Sequence, residues 1–192
     1  MTTTDPTQWV VKETPIADTG SGVNKRTALT VAEVTLPDGV QFRQAVLRVD
    51  PAAMCVLVDD LGRVLMLRRH RFITNSWVWE VPGGYLDEGE DPADCAVREA
   101  EEETGWRPSR VEHLCTFEPM DGNACAPNHV FLGLDPVQVS ETIDANETAE
   151  IRWIPLAEAL RMIRTHVLGA ATVVGVLAAR ALLETAPPRS SG

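Results

Sequence analysis

The sequence predicts an α/β protein with a small antiparallel β segment ahead of its main domain. Three observations carry this expectation. A central stretch has both a helix-start and a helix-stop signal, short strand signals flank it on each side, and two helical segments close the chain. Residues 1 to about 26 are polar, broken by Pro6, Pro15, Gly20 and Gly22, and read as a tail with one short strand near Trp9 to Val11. Thr27 to Leu36 and Val40 to Val49 read as two strands joined at Pro37-Asp38-Gly39, a turn sequence.

Ala52 to Val58 is a short apolar run suited to a buried strand, and Asp59-Asp60-Leu61-Gly62 turns it into a second strand, Arg63 to Leu67. That strand empties into Arg68-Arg69-His70-Arg71, the densest basic patch of an acidic chain. Such a patch can be a strand edge guarded by charge. Lying just upstream of an acidic helix, it is better read as a phosphate clamp, because Arg presents a planar fork that pairs bidentately with phosphate. Alternation next places Trp77, Trp79 and Val81 on one strand face, where Trp is more often core than a stacking platform.

The central helix starts at Asp91-Pro92, an oxygen-bearing cap followed by proline at the first position, with Asp94 placed to bond back. Gly105 is the stop. Glu99, Glu102 and Glu103 fall at i, i+3 and i+4 and share one face. Carboxylates repel one another there, and they stand at the helix end whose dipole favours cations. A solvated acidic face would bear both penalties with Arg98 alone in compensation. A bound divalent cation removes them, since Mg2+ takes carboxylate oxygens while keeping waters and phosphates as further ligands. Arg98, four residues before Glu102, is placed to orient a carboxylate.

Beyond the helix, Val111 to Glu118 reads as a strand, Pro119 to Ala124 as a loop and Asn128 to Leu134 as a strand. Ser140 to Ala149 is an acidic loop leading to a strand, Ile151 to Ile154. Pro155 opens a helix from Leu156 to about His166, and a second runs from about Leu168 to Glu184. The latter carries Arg180 and Thr172 and is shorter than a bilayer span requires, so it is expected to pack in the protein or at a dimer contact. The expected division is a tail over 1–26, N-terminal strands over 27–50, a main domain over 51–185 and a disordered tail over 186–192.

With 192 residues the chain suits one domain with short extensions. Its net charge of −11 argues against a nucleic-acid surface, which needs Lys and Arg, while leaving room for a small phosphorylated substrate bridged by metal. Cys55, Cys95, Cys115 and Cys125 form no Cys-x-x-Cys or zinc-type spacing, so reduced thiols and a cytoplasmic location are expected. The N-terminus lacks the basic-then-apolar pattern of a secretory signal.

The stretch from Gly84 to Trp106 resembles the Nudix box: Gly, five residues, Glu, seven residues, then Arg-Glu-apolar-x-Glu-Glu-x-Gly-apolar. Gly84, Glu90, Arg98, Glu99, Glu102, Glu103 and Gly105 fill every fixed position, with Ala100 and Trp106 in the apolar slots. The box spans about an eighth of the chain, and similarity continues on both flanks. Arg69 and Arg71 match the Arg-Gln-x-Arg segment of ADP-ribose pyrophosphatases, with His70 departing from the usual aromatic. Trp79-Glu80-Val81-Pro82-Gly83-Gly84 matches the approach to the box. Neither Pro119 nor Pro127 falls at the proline position that ADP-ribose enzymes show past the box.

The resemblance implies a Nudix-type α/β/α sandwich with a mixed sheet and metal-dependent hydrolysis of a nucleoside diphosphate linked to a moiety X. It implies one to three Mg2+ or Mn2+ ions on Glu99, Glu102, Glu103 and the Gly83 carbonyl. Glu80 would lie near the ribose or serve as an extra ligand, and Glu147, in a segment similar to one supplying a mobile glutamate, would be the base, a role a box glutamate could also take. Arg98 and Glu90 would fix the geometry. The leading strands would help build a homodimer. The flanks favour ADP-ribose or a related nucleotide sugar, giving AMP and a sugar phosphate. A nucleoside triphosphate or another organic diphosphate is the alternative substrate. A non-catalytic nucleotide sensor is the alternative class; such modules lose box glutamates, and none is lost here. No membrane or nucleic-acid partner is expected.

Overall fold

The computed structural model describes residues 9–16, 26–141 and 149–185; the expected tail 186–192 and the candidate Glu147 lie outside them. In chain order the elements are β1 (Val10–Pro15), β2 (Thr27–Thr35), β3 (Gln41–Val49), β4 (Ala52–Val58), β5 (Arg63–Arg71), β6 (Ser76–Glu80) and β7 (Gly83–Tyr85). Then follow α1 (Pro92–Thr104), β8 (Trp106–Arg107), β9 (Arg110–Phe117), β10 (Ala124–Cys125), β11 (Asn128–Leu134) and β12 (Val137–Gln138). The chain closes with β13 (Glu150–Pro155), α2 (Leu156–Thr165) and α3 (Ala170–Thr185).

Two compact units result: residues up to Asp50 with Glu118–Pro127, and Pro51–Phe117 with Asn128 onward. The first holds a sheet of order β1-β2-β3-β10. Its β1 is longer than the strand expected near Trp9 to Val11, because it pairs along its whole length with β2, from Val10 opposite Thr35 to Pro15 opposite Thr30. The Arg48–Glu13 ion pair ties β3 to β1. The loop after β9 joins this sheet, with the Leu47 N–H donating to Asn123 O at 3.0 Å and β10 running parallel to β3.

The second unit is built on a mixed sheet of order β13-β5-β4-β11-β9, with β6 beside β5 and β7 beside β4. Strand β4 shows why helices cover both faces. Its alternation sends Met54, Val56 and Val58 into one apolar cluster with Ala159, Met162, Val176 and Ala179 of α2 and α3. Ala53, Cys55 and Leu57 enter another with Cys95, Ala96 and Ala100 of α1. Each large apolar side chain buried this way contributes about 1.5–3 kcal/mol. The result is the expected α/β/α sandwich. Among the described residues, no helix is long and apolar enough to cross a membrane.

Two further elements differ from the sequence reading. Strand β5 does not stop at Leu67 but runs to Arg71, because β6 pairs with it from Leu67 opposite Glu80 to Arg71 opposite Ser76. Helix α3 begins at Ala170, two residues later than expected, since Leu168 forms a bridge with Trp79 instead.

Candidate active site

The site grows from the ends of α1. Asp91, in extended conformation, accepts the Ala93 N–H at 2.8 Å, and Pro92 follows at the first helical position. At the other end Gly105 adopts φ +74 and donates its N–H to Glu101 O at 2.8 Å, a left-handed stop that disfavours side chains. The helix so framed points Ala96 and Ala100 at the sheet and turns Glu99 and Glu103 toward β5 and β7.

Arg98 organises the acidic end. Its Nε donates to Glu90 Oε1 at 2.8 Å and its Nη2 to Glu90 Oε2 at 2.9 Å, a parallel two-point grip. Nη2 also reaches the Tyr85 carbonyl at 3.2 Å, while Nη1 donates to Glu99 Oε1 at 2.6 Å and Glu102 Oε2 at 3.2 Å. One guanidinium thereby fixes the box loop, two box glutamates and the strand before them. Held by Arg98, the Glu90 carboxyl titrates at about 2, well below the usual range. The Glu99 carboxylate lies against the backbone of Gly84, where any Cβ would strike it. That close approach is the physical need for glycine at the head of the box.

Glu103 is more enclosed than Glu99, and Glu102 faces solvent. Glu103 Oε2 accepts the Gly83 N–H at 2.9 Å, and Oε1 accepts Arg69 Nη2 at 2.7 Å. Burial pushes the Glu103 carboxyl above the ordinary range, against the opposing pull of Arg69 and the Gly83 N–H. Burial likewise raises Glu99, with Arg98 opposing. Arg71 grips Glu80 with Nε at 3.1 Å and 3.0 Å from the two oxygens, and Arg69 Nε lies 4.0 Å from Glu80 Oε2. Glu80 also lies beside Gly169, just ahead of α3, where a Cβ would stand 3.2 Å from its Oε1.

Of the sequence-predicted residues, the fold joins Arg69, Glu80, Gly83 and Glu103 through these contacts, and Arg98, Glu90, Glu99 and Glu102 through another set. Arg71 joins through Glu80. Glu147 is outside the described residues. Among those described, no three acidic, histidine or cysteine side chains converge as a ready cation cage. The carboxylates are turned instead to Arg98, Arg69 and Gly83. Their chemistry still suits a hard divalent ion: Glu99 and Glu103 stand one helical turn apart, and the charge of Glu99 pushes Glu103 further up.

The extended β5 also divides the basic patch. Arg69 and Arg71 face α1, whereas Arg68 and His70 pair across the strands with Trp79 and Trp77 on the opposite face. Trp79 is core as expected, but Trp77 is 52% exposed. The Arg68 guanidinium lies 5.1 Å from the Trp77 ring centroid, and the His70 ring lies 5.4 Å from it. The missed signal was strand continuation through the charged run, which puts Trp77 at the sheet margin opposite His70.

Fold and site together define an α/β/α hydrolase-type domain with a carboxylate-lined, arginine-braced helix end. Residues 48–174 match the NUDIX domain model, and the chain belongs to the Nudix family. It is 42% identical over 151 residues to a CMP-5'-(N-acetyl-N-hydroxy-3-aminopropyl)phosphonate hydrolase of Streptomyces rubellomurinus, covering 78% of this chain and 73% of that one. It is 31% identical over 141 residues to an ADP-ribose pyrophosphatase of Bacillus subtilis, covering 72% and 76%. A Mycobacterium tuberculosis ADP-ribose pyrophosphatase is 30% identical over 159 residues, covering 81% and 77%. Among solved structures, an ADP compounds hydrolase superposes with TM-score 0.78 at 18% identity, covering 92% and 95%, a likeness of fold. These relations place the chain among the Nudix pyrophosphohydrolases, in an ADP-ribose pyrophosphatase-like branch.

Proposed function

We propose that the protein hydrolyses the diphosphate linkage of a nucleoside diphosphate-X substrate, with ADP-ribose or a related nucleotide sugar preferred and AMP and a sugar phosphate as products. The observation carrying this reading is the contact of Arg69 with Glu103. It brings an arginine, a residue type suited to phosphate, and a box carboxylate to one point, beside the Gly83 backbone. Glu99, Glu102, Glu103 and the Gly83 carbonyl would hold Mg2+ or Mn2+, as the family generally does. A bound ion would polarise the phosphoryl oxygen and lower the pKa of water.

The chain's own groups supply the remainder. Arg69 and Arg71 neutralise and orient the diphosphate oxygens. Arg98 and Glu90 keep the box loop and Glu99 in register. A carboxylate, Glu147 or a box glutamate, accepts the proton of the attacking water. A homodimer built on the N-terminal sheet agrees with the exposed Trp9, Val11 and Phe42 of that unit. Four free cysteines agree with a reducing, cytoplasmic setting.

A second reading concerns X. The relative sharing 42% identity is a hydrolase of a CMP-linked phosphonate, so a cytidylyl phosphonate is a specific competitor of ADP-ribose. Release of AMP from ADP-ribose and of CMP from a CMP-phosphonate, each with Mg2+ and with Mn2+, separates the two. Glu103→Gln run alongside reports whether turnover belongs to this site. No release from either substrate would remove both assignments.

A further inference from the structure

We propose that Arg69 is an exchangeable latch on Glu103, closed in the free protein and opened when its guanidinium passes to a substrate phosphate. This rests on reading the acidic helix as a metal site. The geometry behind it is a conflict over one carboxylate. Glu103 already receives two donors, Gly83 N–H on one oxygen and Arg69 Nη2 on the other. It also shares a helical face with Glu99, so a divalent ion drawn to both glutamates meets the Arg69 charge at the same group. Two cations crowded on one enclosed carboxylate repel strongly.

Neither partner can simply be released. Both side chains are about nine-tenths buried, and parting such a pair leaves a desolvated charge uncompensated. A diphosphate resolves this, since its oxygens replace Glu103 as the partner of Arg69. The departing guanidinium then leaves Glu103 to the metal. Glu80, with an oxygen 4.0 Å from Arg69 Nε, keeps the guanidinium in place during the exchange. Anion and metal therefore favour each other's binding through Arg69, and the coupling is reciprocal. Metal alone, or anion alone, would assemble the site poorly.

The test measures Mn2+ affinity by titration calorimetry and by electron paramagnetic resonance, without substrate. Arg69→Met should bind Mn2+ about tenfold more tightly than wild type. Arg107→Met removes a charge that pairs with Glu101 on the same helix without touching Glu103, and should change affinity by about twofold at most. Equal affinities for the two variants overturn the latch while leaving the metal site intact. No Mn2+ binding by wild type or either variant overturns the metal reading and the latch with it. A crystal structure of the wild type with Mg2+ and a non-hydrolysable nucleoside diphosphate provides a test independent of how Arg69→Met folds. The Arg69–Glu103 pair should be separated beyond ion-pair distance, and a closed pair beside an ion on Glu103 overturns the proposal.

Discussion

Arg98 and Glu90 meet through two parallel hydrogen bonds of 2.8 and 2.9 Å, eight residues apart in sequence. The pair closes the box loop onto α1, so its loss should loosen the site before it unfolds the domain. Glu90→Gln should lower stability by about 1 kcal/mol, a modest figure because the pair is partly solvated. That corresponds to a melting shift of about 3 °C for a chain of this size.

The same pair predicts a pH dependence. Gripped by Arg98, the Glu90 carboxyl titrates at about 2 in the folded protein, well below its ordinary 4.5. A depressed carboxylate adds stability above its unfolded value and loses that contribution as pH falls through the folded one. The stability difference between wild type and Glu90→Gln should thus be constant near neutrality and shrink between 4.5 and about 2. Denaturant titrations at stepped pH would measure it, and a difference that persists to the acid end would count against this account.

Glu103→Gln should retain the fold and lose turnover. The amide keeps a carbonyl oxygen for the Gly83 N–H but removes the charge that faces Arg69 and would face a cation. Activity should drop about a hundredfold or more, with the larger part in kcat. A variant within a few-fold of wild type in release of nucleoside monophosphate would displace Glu103 from the centre of the site.

The thiols give a check on packing. Burial pushes the Cys55 and Cys95 thiols up to about 12. At pH 8 each would be thiolate in only about one part in ten thousand. Both should resist alkylation in the native protein and react once it is unfolded, as mapped by mass spectrometry. Rapid native modification of Cys55 would contradict the enclosed β4.

The box helix was legible because its signals are local: Asp91, Pro92 and Gly105 set the ends within the helix's own sequence. Strands β4 and β11 were legible as apolar runs that only a doubly covered sheet can bury. Strand β5 was cut short because propensity ends at Leu67, while the structure extends it by pairing Arg68 to Arg71 with β6. The exposure of Trp77 was hidden by the same error. No local pattern shows that Arg69 meets Glu103, 34 residues away, because that contact is made by the crossing of α1 over the sheet. The candidate residues could be named from the sequence, as could the Arg98–Glu102 contact four residues apart on one helix, but partners brought from other elements, such as Arg69 for Glu103, could not.

Gly84 carries the last prediction. A methyl group there would collide with the Glu99 carboxylate, and Glu99 is held in turn by Arg98. Gly84→Ala therefore has two outlets, displacement of Glu99 or a shift of β7 away from β4. The ladder of β7 on β4, from Ala52 opposite Tyr85 to Met54 opposite Gly83, resists the second. Glu99 should move, so the variant should melt close to wild type yet lose metal affinity and turnover about tenfold or more, since misplacing such a group by about an ångström is costly. Calorimetry with Mn2+ beside a thermal melt distinguishes the outlets: a large loss of stability with unchanged metal affinity would mean the strand, and not the carboxylate, gives way.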